Sequence, residues 1–125
     1  MKESLRIMVV DDEVGIRKLV SLILEDYQVE TFGTVDEALT RLQKKGASQF
    51  DVIITDMKMP GKDELDLVHE AEAHQPPIPV ILMTGHADQD SGLNLVVKKS
   101  LTLLVKPFED EELLEAISNV TCVQS

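Results

Sequence analysis

The sequence is poor in basic residues, in cysteine and in long apolar runs. It holds 12 Lys and Arg against 23 Asp and Glu, giving a formal net charge of −11 at pH 7. This balance argues against direct binding to nucleic acid or to an anionic membrane, because both select for Lys and Arg. The single cysteine, Cys122, cannot form an internal disulfide, which fits a reducing cytosol. No apolar run approaches the roughly 18 residues of a membrane span, and the N-terminus has no signal-peptide pattern, so we expect a cytoplasmic protein.

What the sequence does hold is five short apolar runs, each of strand length. An apolar fraction of 43% in 125 residues predicts one globular domain over residues 1–125 with a real core. The predicted strands are Leu5–Val10, Gln28–Phe32, Val52–Thr55, Val80–Met83 and Leu101–Val105.

Segments with helical spacing of apolar residues follow each predicted strand. The first stripe is Ile16, Leu19, Val20 and Ile23, and later stripes begin at Val35, Leu65, Leu93 and Leu113. Thr34 and Glu37 have the spacing of a capping box, which predicts the start of the second helix. Strand and helix alternate five times, so the sequence predicts an α/β fold with a parallel sheet covered by helices on both faces.

Polar side chains follow four of the five predicted strands, at the point where each strand ends. Ligands of open α/β sheets bind beyond the carboxyl ends of the strands, which lie along one edge of the sheet. We therefore expect one cluster formed by residues that are distant in sequence: Asp11, Asp12 and Glu13 after the first strand, Asp56 after the third, Thr84 after the fourth and Lys106 after the fifth.

The residue types in this cluster predict a site for a phosphoryl group. Clustered carboxylates repel one another, and a bound cation removes that penalty. Oxygen-only ligands in an acidic crevice favour Mg²⁺, which is often completed by a phosphate oxygen. Lys106 and Thr84 offer a positive charge and a hydroxyl to phosphoryl oxygens, and an aspartate such as Asp56 can itself attack phosphorus.

Four motifs in this order and spacing resemble the receiver domains of bacterial two-component response regulators. They are VVDDE at Val9–Glu13, DMKMPG at Asp56–Gly61, MTGHAD at Met83–Asp88 and KPF at Lys106–Phe108. Each motif alone is weak, but the four together are highly specific and span almost the whole chain. The resemblance implies a doubly wound (βα)5 flavodoxin-like fold of three layers, with parallel strand order 2-1-3-4-5.

The resemblance also implies a role for each matching residue. Asp56 would be the phosphoacceptor, taking its phosphoryl group from a phosphohistidine of a histidine kinase or phosphotransfer protein. The carboxylates of Asp12 and Asp56 and the backbone carbonyl of Lys58 would hold Mg²⁺, with Asp11 acting through a metal-bound water. Thr84 and Lys106 would bind the phosphoryl oxygens, and the Lys106–Pro107 peptide would be cis.

Further positions would set the lifetime of the phosphate and its output. In the family, the residues that match Lys58 and His86 flank the path of the hydrolytic water. Leu103 stands where receivers commonly carry an aromatic switch residue. The surface of the fourth helix, fifth strand and fifth helix would change on phosphorylation and would contact an output domain or a second copy of the chain.

Two other functions are compatible with parts of the pattern. Haloacid-dehalogenase-like phosphatases also use an aspartate after a strand with Mg²⁺, but they need a second acid two residues later, where this chain has Lys58. The other is a receiver-like interaction module that acts independently of phosphorylation. Leu103 favours this last alternative, whereas the acidic residues and Lys106 argue against it.

Overall fold

The computed structural model describes residues 5–44, 50–56, 64–74, 77–84, 101–105 and 108–121. These residues form five strands and four helices in the order β1 (Arg6–Val10), α1 (Val14–Ile23), β2 (Gln28–Phe32), α2 (Val35–Leu42), β3 (Val52–Asp56), α3 (Glu64–Ala73), β4 (Val80–Thr84), β5 (Leu101–Val105) and α4 (Asp110–Thr121). The predicted fourth helix, with its stripe from Leu93, lies outside the described residues. The helix named α4 is therefore the fifth helix of the predicted order.

The strands form one parallel sheet with the order β2-β1-β3-β4-β5, which confirms the predicted topology. Two strands are one residue longer than predicted at their carboxyl ends, because Asp56 pairs with Met83 and Thr84 pairs with Val105. The last residues of β3 and β4 are thus the polar residues themselves. Strand pairing therefore fixes the main chain at both positions.

The sheet separates two apolar cores, one on each face. Alternate residues of β1 enter different cores, with Met8 and Val10 on the side of α2 and α3, and Ile7 and Val9 on the side of α1 and α4. Because successive side chains of a strand point to opposite faces, a strand buried on both sides has no polar alternation. The three layers predicted from the unbroken apolar runs are confirmed.

The buried face of α1 differs from the predicted stripe. Val20 and Leu24 are fully buried, and Ile16 and Ile23 pack partly against the same core. Leu19 is 47% exposed, so its assignment to the core stripe was wrong. At 100° per residue, Leu19 lies about 90° from the centre of the face defined by those four side chains, at the flank of the helix.

Two predicted helix features have the expected geometry. Thr34 is the N-cap of α2, and its Oγ1 accepts a hydrogen bond of 3.1 Å from the amide of Glu37. In α4, Leu113 and Ile117 are buried in the core shared with α1. None of the helices in the described part of the chain has the length and hydropathy of a membrane-spanning segment.

Candidate functional site

Asp11 is the buried member of the predicted acidic cluster, and hydrogen bonds fix it immediately after β1. Its side chain is 0% exposed. Its amide donates to the carbonyl oxygen of Phe32 at 3.0 Å, which extends the contact between β1 and β2 by one residue. Its Oδ1 accepts a hydrogen bond of 2.9 Å from the amide of Glu13. The turn from β1 to α1 is therefore folded around this carboxylate.

Asp56 lies beside Asp11 because of the register between β1 and β3. Val10 pairs with Thr55, so the residues that follow each of them are neighbours at the edge of the sheet. Asp56 is 7% exposed, which is unusual for a carboxylate. Its position results directly from two adjacent parallel strands, since Asp11 follows the last residue of β1 and Asp56 is the last residue of β3.

The carboxylates of Asp11, Asp12 and Asp56 form a single anionic group. One oxygen of each lies within 4.8 Å of the others. Asp11 and Asp56 are buried, whereas Asp12 is exposed. At this separation two unit charges repel by roughly 3 kcal/mol at an effective dielectric constant near 20. The fold therefore holds together charges that would separate in the unfolded chain.

The donor set fits a hard divalent cation. All of its ligand atoms are carboxylate oxygens, which Mg²⁺ prefers to nitrogen or sulfur. The exposed Asp12 leaves one side of the group open to solvent, and Mg²⁺ usually keeps several waters when it binds protein. Glu13, which the sequence placed in the same acidic run, contributes its amide to the turn rather than its carboxylate to this group.

The structure places the remaining predicted site residues only in part. Thr84 is the last residue of β4, on the same sheet edge as Asp56, and Leu103 lies in β5 opposite Leu82. The structure thus gives the strand position of both residues, and their side chains are not described. Four further predicted residues lie outside the described ranges: Lys58, His86, Lys106 and Pro107.

Comparisons with known proteins agree with this fold. A family model for the response regulator receiver domain matches residues 7–118. The transcriptional regulatory protein FixJ of Bradyrhizobium diazoefficiens is 30% identical over 115 residues, which are 90% of this chain and 55% of FixJ. The chemotaxis protein CheY of Listeria monocytogenes is 26% identical, with 90% of this chain and 95% of CheY covered.

A solved structure gives the same result at the level of the backbone. The crystal structure of a response regulator receiver domain protein from Clostridium thermocellum superposes with a TM-score of 0.81 at 33% identity, and 94% of each chain is covered. The chain thus spans about half of the longer relative, FixJ, at 55% of its length, and nearly all of the shorter one, CheY, at 95%.

Proposed function

The chain belongs to the response regulator receiver family of two-component signalling, and from this premise we propose that Asp56 is its phosphoacceptor. The phosphoryl group would come from a phosphohistidine on a histidine kinase or phosphotransfer protein. One observation carries the proposal: Asp56 is nearly buried, ends a central strand, and has a carboxylate oxygen within 4.8 Å of those of Asp11 and Asp12.

The proposed reaction is an in-line displacement at phosphorus. A carboxylate oxygen of Asp56 attacks the phosphorus atom of the phosphohistidine, and the P–N bond breaks with its electron pair passing to the imidazole nitrogen. The product is an aspartyl phosphate, with the charge spread over three oxygens. Bound Mg²⁺ would supply positive charge to those oxygens. The carboxylates of Asp12 and Asp56 and the backbone carbonyl of Lys58 would hold the ion, and Asp11 would act on it through a water.

Protein groups around the phosphoryl group complete the proposed site. We assign the Lys106 ammonium and the Thr84 hydroxyl to its oxygens, a role that suits their chemistry. Lys58 and His86 are proposed to adjust the rate of hydrolysis. The Lys106–Pro107 peptide is proposed to be cis.

The output of the proposed switch is a change of population between two conformers. If Thr84 and Lys106 contact the phosphoryl group in only one conformer, phosphorylation favours that conformer by the difference in contact energy. Moving a 1:99 mixture to 99:1 takes about 5.5 kcal/mol, which a few charge-assisted hydrogen bonds can supply. We propose that the surface around β5 and α4, with Leu103 as its switch residue, transmits the change to an output domain or a second copy.

Mass spectrometry after incubation with acetyl phosphate and Mg²⁺ tests the assignment of Asp56. We expect one acid-labile phosphoryl group that maps to Asp56, and its loss in Asp56→Asn and in the presence of EDTA. The Asp51→Asn variant is a matched control, because Asp51 lies just before the same strand and its Oδ2 accepts from the amide of Arg6. Phosphate on any other residue of the wild-type chain would exclude the assignment.

A further inference from the structure

Arg17 contacts the acidic site through the main chain of its buried member. Its Nη1 donates a hydrogen bond of 2.5 Å to the carbonyl oxygen of Asp11. Arg17 lies in the first turns of α1 and is half-buried. Asp11 is thus fixed on three sides: its amide bonds to β2, its side chain to the Glu13 amide, and its carbonyl to α1.

Gly33 leaves the space that the guanidinium occupies. A Cβ atom at this position would lie 3.2 Å from Nη1 of Arg17 and 3.7 Å from its Cζ. The first distance is closer than an ordinary van der Waals contact, so a methyl group there would displace the guanidinium by a few tenths of an ångström. Arg17 therefore spans from α1 to the turn after β2, passing against the residue that carries the buried carboxylate.

We propose that Arg17 is a positioning residue for the metal site, an inference that rests on the function proposed above. By holding the Asp11 carbonyl, it orients the Asp11 carboxylate so that this group, Asp12 and Asp56 act on one Mg²⁺ ion. Groups that hydrogen-bond a metal ligand directly contribute about 10- to 100-fold to metal affinity, and because Arg17 acts through the main chain of Asp11 we expect the lower end of this range. The guanidinium suits the task because its rigid fork loses little freedom when it donates.

The direction in which the Kd for Mg²⁺ changes distinguishes a positioning role of Arg17 from an effect of its charge alone. A cation near an anionic site weakens its attraction for Mg²⁺, so removing the charge alone strengthens metal binding. Loss of positioning weakens it. Lys18 is an exposed cation next to Arg17 on the same helix, so Lys18→Ala reports the effect of charge alone.

The experiment is a calorimetric titration of the metal-free chain with Mg²⁺, with thermal unfolding of each variant as a check on the fold. We expect Arg17→Ala to raise the Kd for Mg²⁺ up to about tenfold. Lys18→Ala should leave the Kd unchanged or slightly lower. Arg17→Lys, which keeps a charged donor without the fork, should give an intermediate Kd.

Gly33→Ala tests the same contact without changing any charge. It should raise the Kd by about twofold to threefold, and it should have no further effect in the Arg17→Ala background, because the two changes act through one contact. If Arg17→Ala does not fold, Gly33→Ala and Arg17→Lys decide the question. If these variants bind Mg²⁺ with a Kd equal to or lower than that of the wild type, the inference is overturned and the proposed function is left intact. Absence of Mg²⁺ binding by the wild type would overturn both.

Discussion

At the scale of single residues, Asp12 lowers the stability of the metal-free fold because its carboxylate lies close to two others. Its carboxylate repels two buried neighbours, and it is the exposed member of the group. Without metal, we expect Asp12→Asn to raise the free energy of unfolding by about 1 kcal/mol at low ionic strength, since solvent screens part of the repulsion. Urea denaturation in EDTA measures this change.

In the presence of Mg²⁺, the Asp12→Asn variant should no longer be more stable than the wild type. The wild type is stabilised by about 2.7 kcal/mol at a free Mg²⁺ concentration 100-fold above its Kd, whereas Asp12→Asn should gain much less. Asp26→Asn is the matched control, because Asp26 is exposed in the turn after α1, at the opposite end of the helix from the cluster. Equal stabilisation of both variants in EDTA would show that only total charge matters.

Thr55 has a polar side chain in a buried position. It is 0% exposed, and among the described residues its Oγ1 finds no hydrogen-bond partner. Thr55→Val keeps the shape and removes the unsatisfied hydroxyl, so we expect the free energy of unfolding to rise by about 1 kcal/mol. Thr31→Val, at an exposed position of β2, should stay within about 0.5 kcal/mol. A urea midpoint for Thr55→Val at or below that of the wild type would contradict the prediction.

At the scale of elements, α2 depends on its N-cap. Thr34 Oγ1 satisfies the amide of Glu37, one of the donors that the first helical turn leaves without an internal partner. We expect Thr34→Ala to lower the free energy of unfolding by about 1 kcal/mol. Thr40→Ala is the control in the same helix: the Thr40 hydroxyl donates to the carbonyl of Asp36, and alanine is the better helix former, so stability should hold or rise slightly. Thermal unfolding of both variants decides the matter, and equal losses would contradict the capping role.

The elements show what the sequence could and could not predict. Local signals sufficed for the positions of the strands and for the Thr34 cap, because apolar runs and capping spacings act over a few residues, whereas the strand order was implied by the resemblance to the receiver family. Leu19 was misplaced because helical spacing gives a stripe but not its centre, which depends on how α1 packs against α4 and the sheet. Arg17 was missed entirely, since its contacts with Asp11 and Gly33 join three elements and leave no pattern in the sequence.

At the scale of the whole molecule, the acidic group was predictable because parallel topology brings strand ends together. β1 and β3 are neighbours, so two aspartates 45 residues apart in the chain become adjacent at one sheet edge. The distance between their carboxylates could not be read from the sequence. It depends on a register of single residues and on the turn that the Glu13 amide closes around Asp11.

The approach of the phosphodonor protein is the remaining feature at this scale. A hollow of about 560 Å³ lies along α1 and is lined by Val14, Arg17, Lys18, Ser21, Leu22 and Thr31. Val14 is 55% and Leu22 68% exposed, so two apolar side chains about 12 Å apart along the helix are open to solvent in this hollow. We propose that the phosphodonor protein of the proposed function packs against this hollow.

Leu22→Ala tests this approach without touching the site. Losing the burial of one leucine side chain corresponds to about tenfold in affinity, so phosphotransfer from a cognate kinase at subsaturating concentrations should slow by about that factor. Phosphorylation by acetyl phosphate should not change, because a small donor needs no docking surface. Leu19→Ala is the matched control, since Leu19 is 47% exposed on the same helix but does not line the hollow. Equal slowing by both variants, or slowing with acetyl phosphate as well, would place the docking surface elsewhere.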